Sequence, residues 1–230
     1  MGAPATAATF SYNPADIGKQ GTNGGKLEQV NTTFDDVTDL FTWSSTFSRN
    51  PDNGNLAEGA WLVVNDGPNP RADKNEQAIF YLDGRANQNK VTAYNYNGAV
   101  KQQSWKNSTL LATTGLDVKD EGDNRTFSFS LDMTDINAMT DVFGSDWKGT
   151  AFGDKIGVWF HGLADFNADY GEDGGLSKFS FKPANRSVYD VTLAHTDKEE
   201  ESVPEPGVVL ALGMTAAAAL FSKRRKLLAA

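Results

Sequence analysis

The sequence predicts an all-β domain, an antiparallel sandwich with one short helix, over residues 9–195 of the 230-residue chain. Three observations carry this: apolar residues alternate with hydroxyl residues in two well-separated runs, turn dipeptides punctuate the chain between apolar runs, and the composition changes abruptly after residue 202. Period-two alternation places one face of a strand against a core and the other against solvent. Residues 196–202 are an acidic linker, and 203–230 form a separate apolar and basic tail.

The elements follow in chain order. Phe41, Trp43 and Phe47 alternate with Thr42, Ser44, Thr46 and Ser48, which predicts a half-buried strand. The same pattern returns where Phe127, Phe129, Leu131 and Met133 alternate with Thr126, Ser128, Ser130 and Asp132. Further strands are predicted at 60–65, 77–83, 90–96, 155–161, 176–181 and 188–194. Asn53-Gly54, Asp83-Gly84, Asn97-Gly98 and Gly174-Gly175 are turn dipeptides suited to positive φ. One helix is predicted over 135–143, with Thr134 as its N-cap and Gly144 just past its end. No internal repeat is present.

Composition narrows the chemistry. With no cysteine, disulfides, thiolate nucleophiles and zinc-thiolate sites are all excluded. The chain carries a net charge of -9, and removing residues 203–230 leaves 17 basic against 29 acidic residues, or -12. A body this acidic offers no basic stripe to displace counterions from phosphates, so nucleic acid is not expected as a partner.

The tail reads Val203-Pro204-Glu205-Pro206-Gly207, then uncharged residues to Phe221, then Lys223-Arg224-Arg225-Lys226. Neither proline can continue an upstream helix, but either can open a new one. At about 1.5 Å per residue the uncharged run spans roughly 22 Å, short of a hydrocarbon core of roughly 30 Å, so a transmembrane helix here depends on local thinning and on snorkelling by the basic cluster. In a chain of mean hydropathy -0.46 the segment stands apart.

Pro-Glu-Pro, a short apolar helix and a basic end together resemble the PEP-CTERM sorting signal of bacteria that export proteins through an exosortase system. The resemblance implies an exosortase-type processing enzyme as a partner, cleavage near Pro204–Pro206, anchoring in the inner membrane before processing, and a final place in the cell envelope or extracellular matrix. In that family the basic cluster stays cytoplasmic, in keeping with the positive-inside tendency. An exported chain needs an entry signal, yet Met1-Gly2-Ala3-Pro4-Ala5-Thr6-Ala7-Ala8 has neither a basic nor an apolar region, so residues 1–8 are read as the remnant of a trimmed leader.

A second resemblance rests on Trp61-Leu62-Val63-Val64-Asn65-Asp66-Gly67-Pro68-Asn69-Pro70, Ile79-Phe80-Tyr81-Leu82-Asp83 and Thr92-Ala93-Tyr94-Asn95-Tyr96-Asn97-Gly98. These are similar to PEP-CTERM proteins found mainly in cyanobacteria, over residues 35–195. That similarity implies a lectin-like or jelly-roll sandwich without naming a ligand or a catalytic residue.

Two candidate sites come from the residues themselves. Asp165, Asn167 and Asp169, followed by Asp173, put oxygen side chains at alternate positions, as a hard cation such as calcium requires. They resemble an EF-hand or dockerin loop at the first three positions only: the sixth is Tyr170 and the twelfth Leu176, which excludes a standard EF-hand. Calcium is thus an optional ligand, and no cofactor is required. The second candidate joins Tyr94 and Tyr96, on one face of a strand, with Trp105 in a polar run and with Asn65 and Asp66 at a turn-rich connection. Flat aromatic faces beside amides suit sugar rings, and exopolysaccharide is the partner this would serve.

Catalysis lacks a constellation. No Glu-x-Asp-x-x-Glu spacing of paired carboxylates occurs, nor a Gly-x-Ser-x-Gly elbow or a phosphate loop. His161 and His195 lie far apart in sequence. The leading expectation is a non-catalytic exported envelope or matrix protein. A calcium-assisted glycan-binding module and, behind it, a carbohydrate-active hydrolase stay open.

Overall fold

A computed structural model describes residues 8–12, 25–35, 37–51, 53–65, 78–96, 101–145, 147, 149, 155–181 and 189–194. The chain divides into units 1–196 and 197–230, and every described residue belongs to the first. The sorting signal, with Val203, Pro204, Glu205, Pro206 and the basic residues 223–226, lies outside the described residues. Among the described residues no helix is long and apolar enough to cross a membrane.

Thirteen strands are described: β1 Ala8–Tyr12, β2 Lys26–Asp35, β3 Leu40–Ser48, β4 Gly59–Asn65, β5 Ala78–Asp83, β6 Lys90–Asn95, β7 Leu110–Gly115, β8 Asp117–Glu121, β9 Asn124–Asp132, β10 Lys155–Leu163, β11 Phe166–Tyr170, β12 Leu176–Phe181 and β13 Tyr189–Ala194. All pairings are antiparallel. One sheet has the order β1-β2-β3-β9-β8, a second β13-β10-β4-β5-β6-β7, and β11 and β12 form a separate hairpin. Every predicted strand is present. Consecutive strands β4 to β7 stay within one sheet, whereas a jelly roll passes successive strands between sheets, so the strand order departs from the jelly-roll expectation.

Alternation explains the five-stranded sheet. Phe41, Trp43 and Phe47 of β3, with Phe127 and Phe129 of β9, turn inward and are buried. They meet Phe80 and Phe160 of the facing sheet, with Phe41–Phe80 centroids 5.5 Å apart and Phe47–Phe160 5.4 Å apart. Strands β4 and β5 follow a different rule and are buried at every position. Their sequences, GAWLVVN and AIFYLD, are continuous apolar runs, the pattern of a strand covered on both faces. Leu62, Val64, Phe80 and Leu82 enter the core between the sheets. Trp61, Val63, Ile79 and Tyr81 enter a second core, closed by Phe166, Ala168, Leu176 and Phe179 of the hairpin. The six-stranded sheet is therefore the middle of three layers.

Turn chemistry behaves as its residues require, with one substitution of role. Gly54 and Gly174 take positive φ, 72° and 78°. At Asp83-Gly84 the positive φ falls instead on Asn89, 44°. Gly84 is needed for close approach: a Cβ there would lie 2.9 Å from the Glu58 carbonyl oxygen and strike the Phe127 ring.

The single predicted helix is two one-turn helices, α1 Thr134–Asn137 and α2 Thr140–Phe143. Met133, not Thr134, occupies the N-cap, and Asp132 Oδ1 accepts from the Thr134 N–H at 2.9 Å and its hydroxyl at 2.7 Å. A continuous helix would offer the Ile136 carbonyl to Thr140. Instead the Trp147 indole N–H donates to it at 2.7 Å, and Thr140 donates to Ala138. Gly144 ends α2 at φ 99°, as predicted. The sequence also conceals a 3₁₀ segment, Lys101–Asn107, kinked at Gln103 (φ -110°, ψ 16°).

Acid sensitivity follows from three carboxylates. The backbone N–H groups of Val37 and Thr38 hold Asp35 below its ordinary value of 3.8, the Arg125 guanidinium does the same for Asp120, and Thr134 for Asp132. A depressed carboxylate contributes stability that is complete above its unfolded pKa and is lost as pH falls through the lower folded one. The urea midpoint is expected to be lower at pH 3 than at pH 7, with part of the difference removed in Asp120→Asn. Equal midpoints at the two pH values would remove these contacts from the account of stability.

Candidate functional site

The aromatic residues proposed to stack on a sugar are core residues. Tyr94 is 4% exposed and Tyr96 0%, both in the layer beneath the β11–β12 hairpin. The Tyr94 hydroxyl accepts from the Leu176 N–H at 2.5 Å, and burial pushes its phenol above the ordinary range. Trp105, on the 3₁₀ helix, is half-buried against the same cluster, and its backbone N–H donates to the Tyr81 hydroxyl at 3.4 Å. Asn65 is buried at the end of β4, and Asp66 lies outside the described residues. The alternation of β6 was legible, but the hairpin that turns its outer face into a second core was not.

The calcium candidates are also placed differently from a curled loop. Asn167 and Asp169 lie on the extended β11, both outward. Alternate strand positions project in parallel at roughly 6.6–6.8 Å spacing, and so do not converge on one ion. Asp165 opens the strand at φ 54°, its N–H donating to Glu58 Oε2 at 3.0 Å. Asp169 pairs with Lys178 at 3.7 Å, and Asp173 Oδ1 accepts from the Gly175 N–H at 2.9 Å in the hairpin turn. Among the described residues no group of three or more His, Asp or Glu side chains is disposed to hold a metal ion. Of the two histidines, His161 is buried and stacked on Trp61 with centroids 5.3 Å apart, and His195 lies outside the described residues.

A buried ionic cluster that the sequence reading missed secures the hairpin. Asp83, 2% exposed, accepts from Arg85 Nε at 2.9 Å, from Arg85 Nη2 at 2.6 Å and from the Tyr170 hydroxyl at 2.9 Å. Arg85 Nη2 also donates to the Ala168 carbonyl at 2.7 Å, and its guanidinium lies 5.0 Å from the Phe166 ring centroid. Asp83 raises the Arg85 pKa, while burial and Asp83 raise that of Tyr170. Each partner is committed to the others, so the cluster works as a latch rather than as acid and base.

Among the described residues, the outward face of the five-stranded sheet presents an uncharged polar surface. Cross-strand register aligns Thr33, Thr42 and Ser130 in one row, Asn31, Ser44 and Ser128 in the next, and Gln29, Thr46 and Thr126 in a third. All nine are uncharged, hydrogen-bonding and at least partly exposed, in a chain of which 22% is charged. Thr33 and Thr42 hydroxyls lie 2.5 Å apart and those of Thr46 and Thr126 2.8 Å apart. Ser44, Ser128 and Asn31 side chains make no hydrogen bond to another described residue. Between β2, β3 and β9 runs a shallow groove of about 650 Å³, with Leu116 and Asp117 at one side. Among the described residues no imidazole lines the groove, and its one lining carboxylate, Asp117, stands opposite Ser128 in the β8–β9 register. The hydroxyl side of the alternation was visible in sequence, but its rows needed the register and β2, which the pattern did not reveal.

No family model matches the chain, and no curated protein matches it. Among solved structures, the chain is similar to one from a study titled "pH-induced modulation of Streptococcus parasanguinis adhesion by Fap1 fimbriae", with 11% identity and a TM-score of 0.28 over 84% of this chain and 98% of that chain. At that score the likeness carries no argument about fold or function.

Proposed function

We propose that this chain is a non-catalytic exported protein of the bacterial envelope or extracellular matrix, delivered and processed through its C-terminal signal. The observation that carries the reading is the order Pro204-Glu205-Pro206, uncharged run and Lys223-Arg224-Arg225-Lys226 within residues 203–230. An acidic body of -12 ahead of that tail suits a solvated domain outside the cell. The non-catalytic part is supported by the engagement of ionisable side chains in structure, since Asp83, Arg85 and Tyr170 are bound to one another and the Asp173 carboxylate accepts from the Gly175 N–H in the hairpin turn. Glycan binding is the second reading, favoured by the uncharged hydroxyl rows on the five-stranded sheet.

The full chain, expressed in a bacterial host, is expected to fractionate with membranes, and a chain stopped at Ser202 to remain soluble. A full chain that is soluble and monodisperse without detergent would overturn the anchor. In cells carrying an exosortase-type enzyme, the intact mass is expected to fall by the mass of the residues beyond the Pro204–Pro206 region. An unprocessed mass there would overturn the sorting reading.

A further inference from the structure

We propose that the outward face of β2, β3 and β9 is a docking surface for a strand of uncharged, hydroxyl-rich polysaccharide, seated in the groove over Asn31, Thr42, Ser44, Ser128 and Ser130. The proposal deepens the reading of the chain as an exported envelope or matrix protein and rests on it for its partner's setting.

The occupant is set by charge and by hydrogen-bonding capacity. Three rows of three residues hold no formal charge, although the remainder of the chain is acidic. Around them stand Asp35 and Asp132 at one end, and Asp117 and Lys119 along one side, with Glu28 and Lys26 paired at 3.6 Å. Carboxylates at the rim repel anionic polymers and nucleic acid. A second copy of this chain would bring another -9 against the same rim. A lipid surface or an apolar helix is disfavoured for a different reason: among the described residues the large exposed apolar side chains near this face are Leu40, 39% exposed at one corner, and Val37, 66% exposed in the β2–β3 turn beside it, both outside the three rows. What the face offers is hydroxyl and amide groups, each able to donate and to accept, which matches a ligand made of the same groups.

Geometry agrees with a chain-like ligand. Neighbouring strands lie roughly 4.8 Å apart, so a polymer laid across the middle row meets the Asn31 amide of β2, the Ser44 hydroxyl of β3 and the Ser128 hydroxyl of β9 in turn. The groove of about 650 Å³ falls in the range of small-molecule sites, and it opens broadly to the surface. The Thr33–Thr42 and Thr46–Thr126 contacts fix four of the side chains before any ligand arrives, which lowers the cost of ordering them on binding. Ser44 and Ser128, paired opposite each other in the middle row, stay free to exchange water for ligand.

The test is affinity electrophoresis of the full chain in a neutral detergent, through native gels containing galactomannan, dextran or, as the anionic comparison, alginate. Retardation is expected in at least one neutral gel and absent in alginate. The double substitution Ser44→Glu with Ser128→Glu places charge and bulk in the middle row and is expected to weaken retardation at least tenfold. Ser44→Ala with Ser128→Ala, which the fold accommodates more easily, is expected to weaken it severalfold, and Lys178→Glu on β12 to leave it unchanged. The proposal is overturned if neither neutral polymer retards the parent, if alginate retards it more strongly, or if the alanine pair runs as the parent does. Fractionation and intact mass test export separately: a processed chain that no neutral polymer retards overturns the surface alone, and a retarded chain that is never exported overturns the setting alone.

Discussion

Asp83→Ala is expected to lower the stability of the domain by about 2 to 3 kcal/mol, although Asp83 lies in neither sheet core. Its carboxylate receives three side-chain hydrogen bonds, two from Arg85 and one from Tyr170, and a fourth from the Arg85 backbone N–H at 3.1 Å. Alanine would leave the Tyr170 hydroxyl and the guanidinium without that acceptor. Breaking a fully buried pair costs about 3 to 5 kcal/mol, but the Arg85 side chain is 28% exposed and part of its charge returns to water, which sets the lower figure. In a domain of this size each kcal/mol moves the melting temperature by about 2 to 4 °C, so a fall of roughly 4 to 12 °C is expected in a thermal melt. Asp83→Asn, which keeps an acceptor but not the charge, should fall between parent and alanine. An unchanged melt for the alanine variant would mean that packing alone holds the hairpin.

That latch also shows where sequence reasoning stopped. The sequence predicts Asp83 as half of a turn dipeptide, whereas it is the last residue of β5, just ahead of the turn at 85–89, and its main task depends on Tyr170, 87 residues later. Local signals were sufficient for β3 and β9, since Phe41, Trp43, Phe127 and Phe129 announce a buried face by period two. They were insufficient for β8, DVKDE, whose charges suit an edge strand but give no apolar period to detect. Strand β2 hid for another reason: a bulge between Leu27 and Gln29 shifts its alternation by one residue. The candidate sites erred in one direction. Tyr94 and Tyr96 were assigned to a surface because β6 was expected to have one solvent face, and Asn167 and Asp169 to a loop because the local pattern predicts the strand at 176–181 but not β11, its partner. A single unrecognised layer accounts for both.

The three-layer arrangement makes a sharp demand on two adjacent residues of β5: Phe80→Ala and Tyr81→Ala must both be severely destabilising. In a two-layer sandwich with one solvated face, neighbouring positions alternate, and the outward one is substituted at a cost within about 0.5 kcal/mol. Here Phe80, 0% exposed, packs between the two large sheets, 5.5 Å from Phe41 and 5.5 Å from Phe129 between ring centroids. Tyr81, 1% exposed, points the other way, with Phe179 of the hairpin at 4.9 Å and Tyr94 at 5.9 Å in edge-on contact. Removing a large buried aromatic costs about 3 to 5 kcal/mol through lost transfer energy and the cavity left behind, and that range is expected for each. Tyr81→Phe isolates the hydroxyl, which accepts from the Trp105 N–H at 3.4 Å, and should cost about 1 kcal/mol or less given that length. Urea denaturation of the four chains checks this directly. If Tyr81→Ala unfolds within error of the parent while Phe80→Ala does not, the hairpin does not cover the sheet in solution, and Tyr81, Tyr94 and Trp159 become an exposed aromatic face.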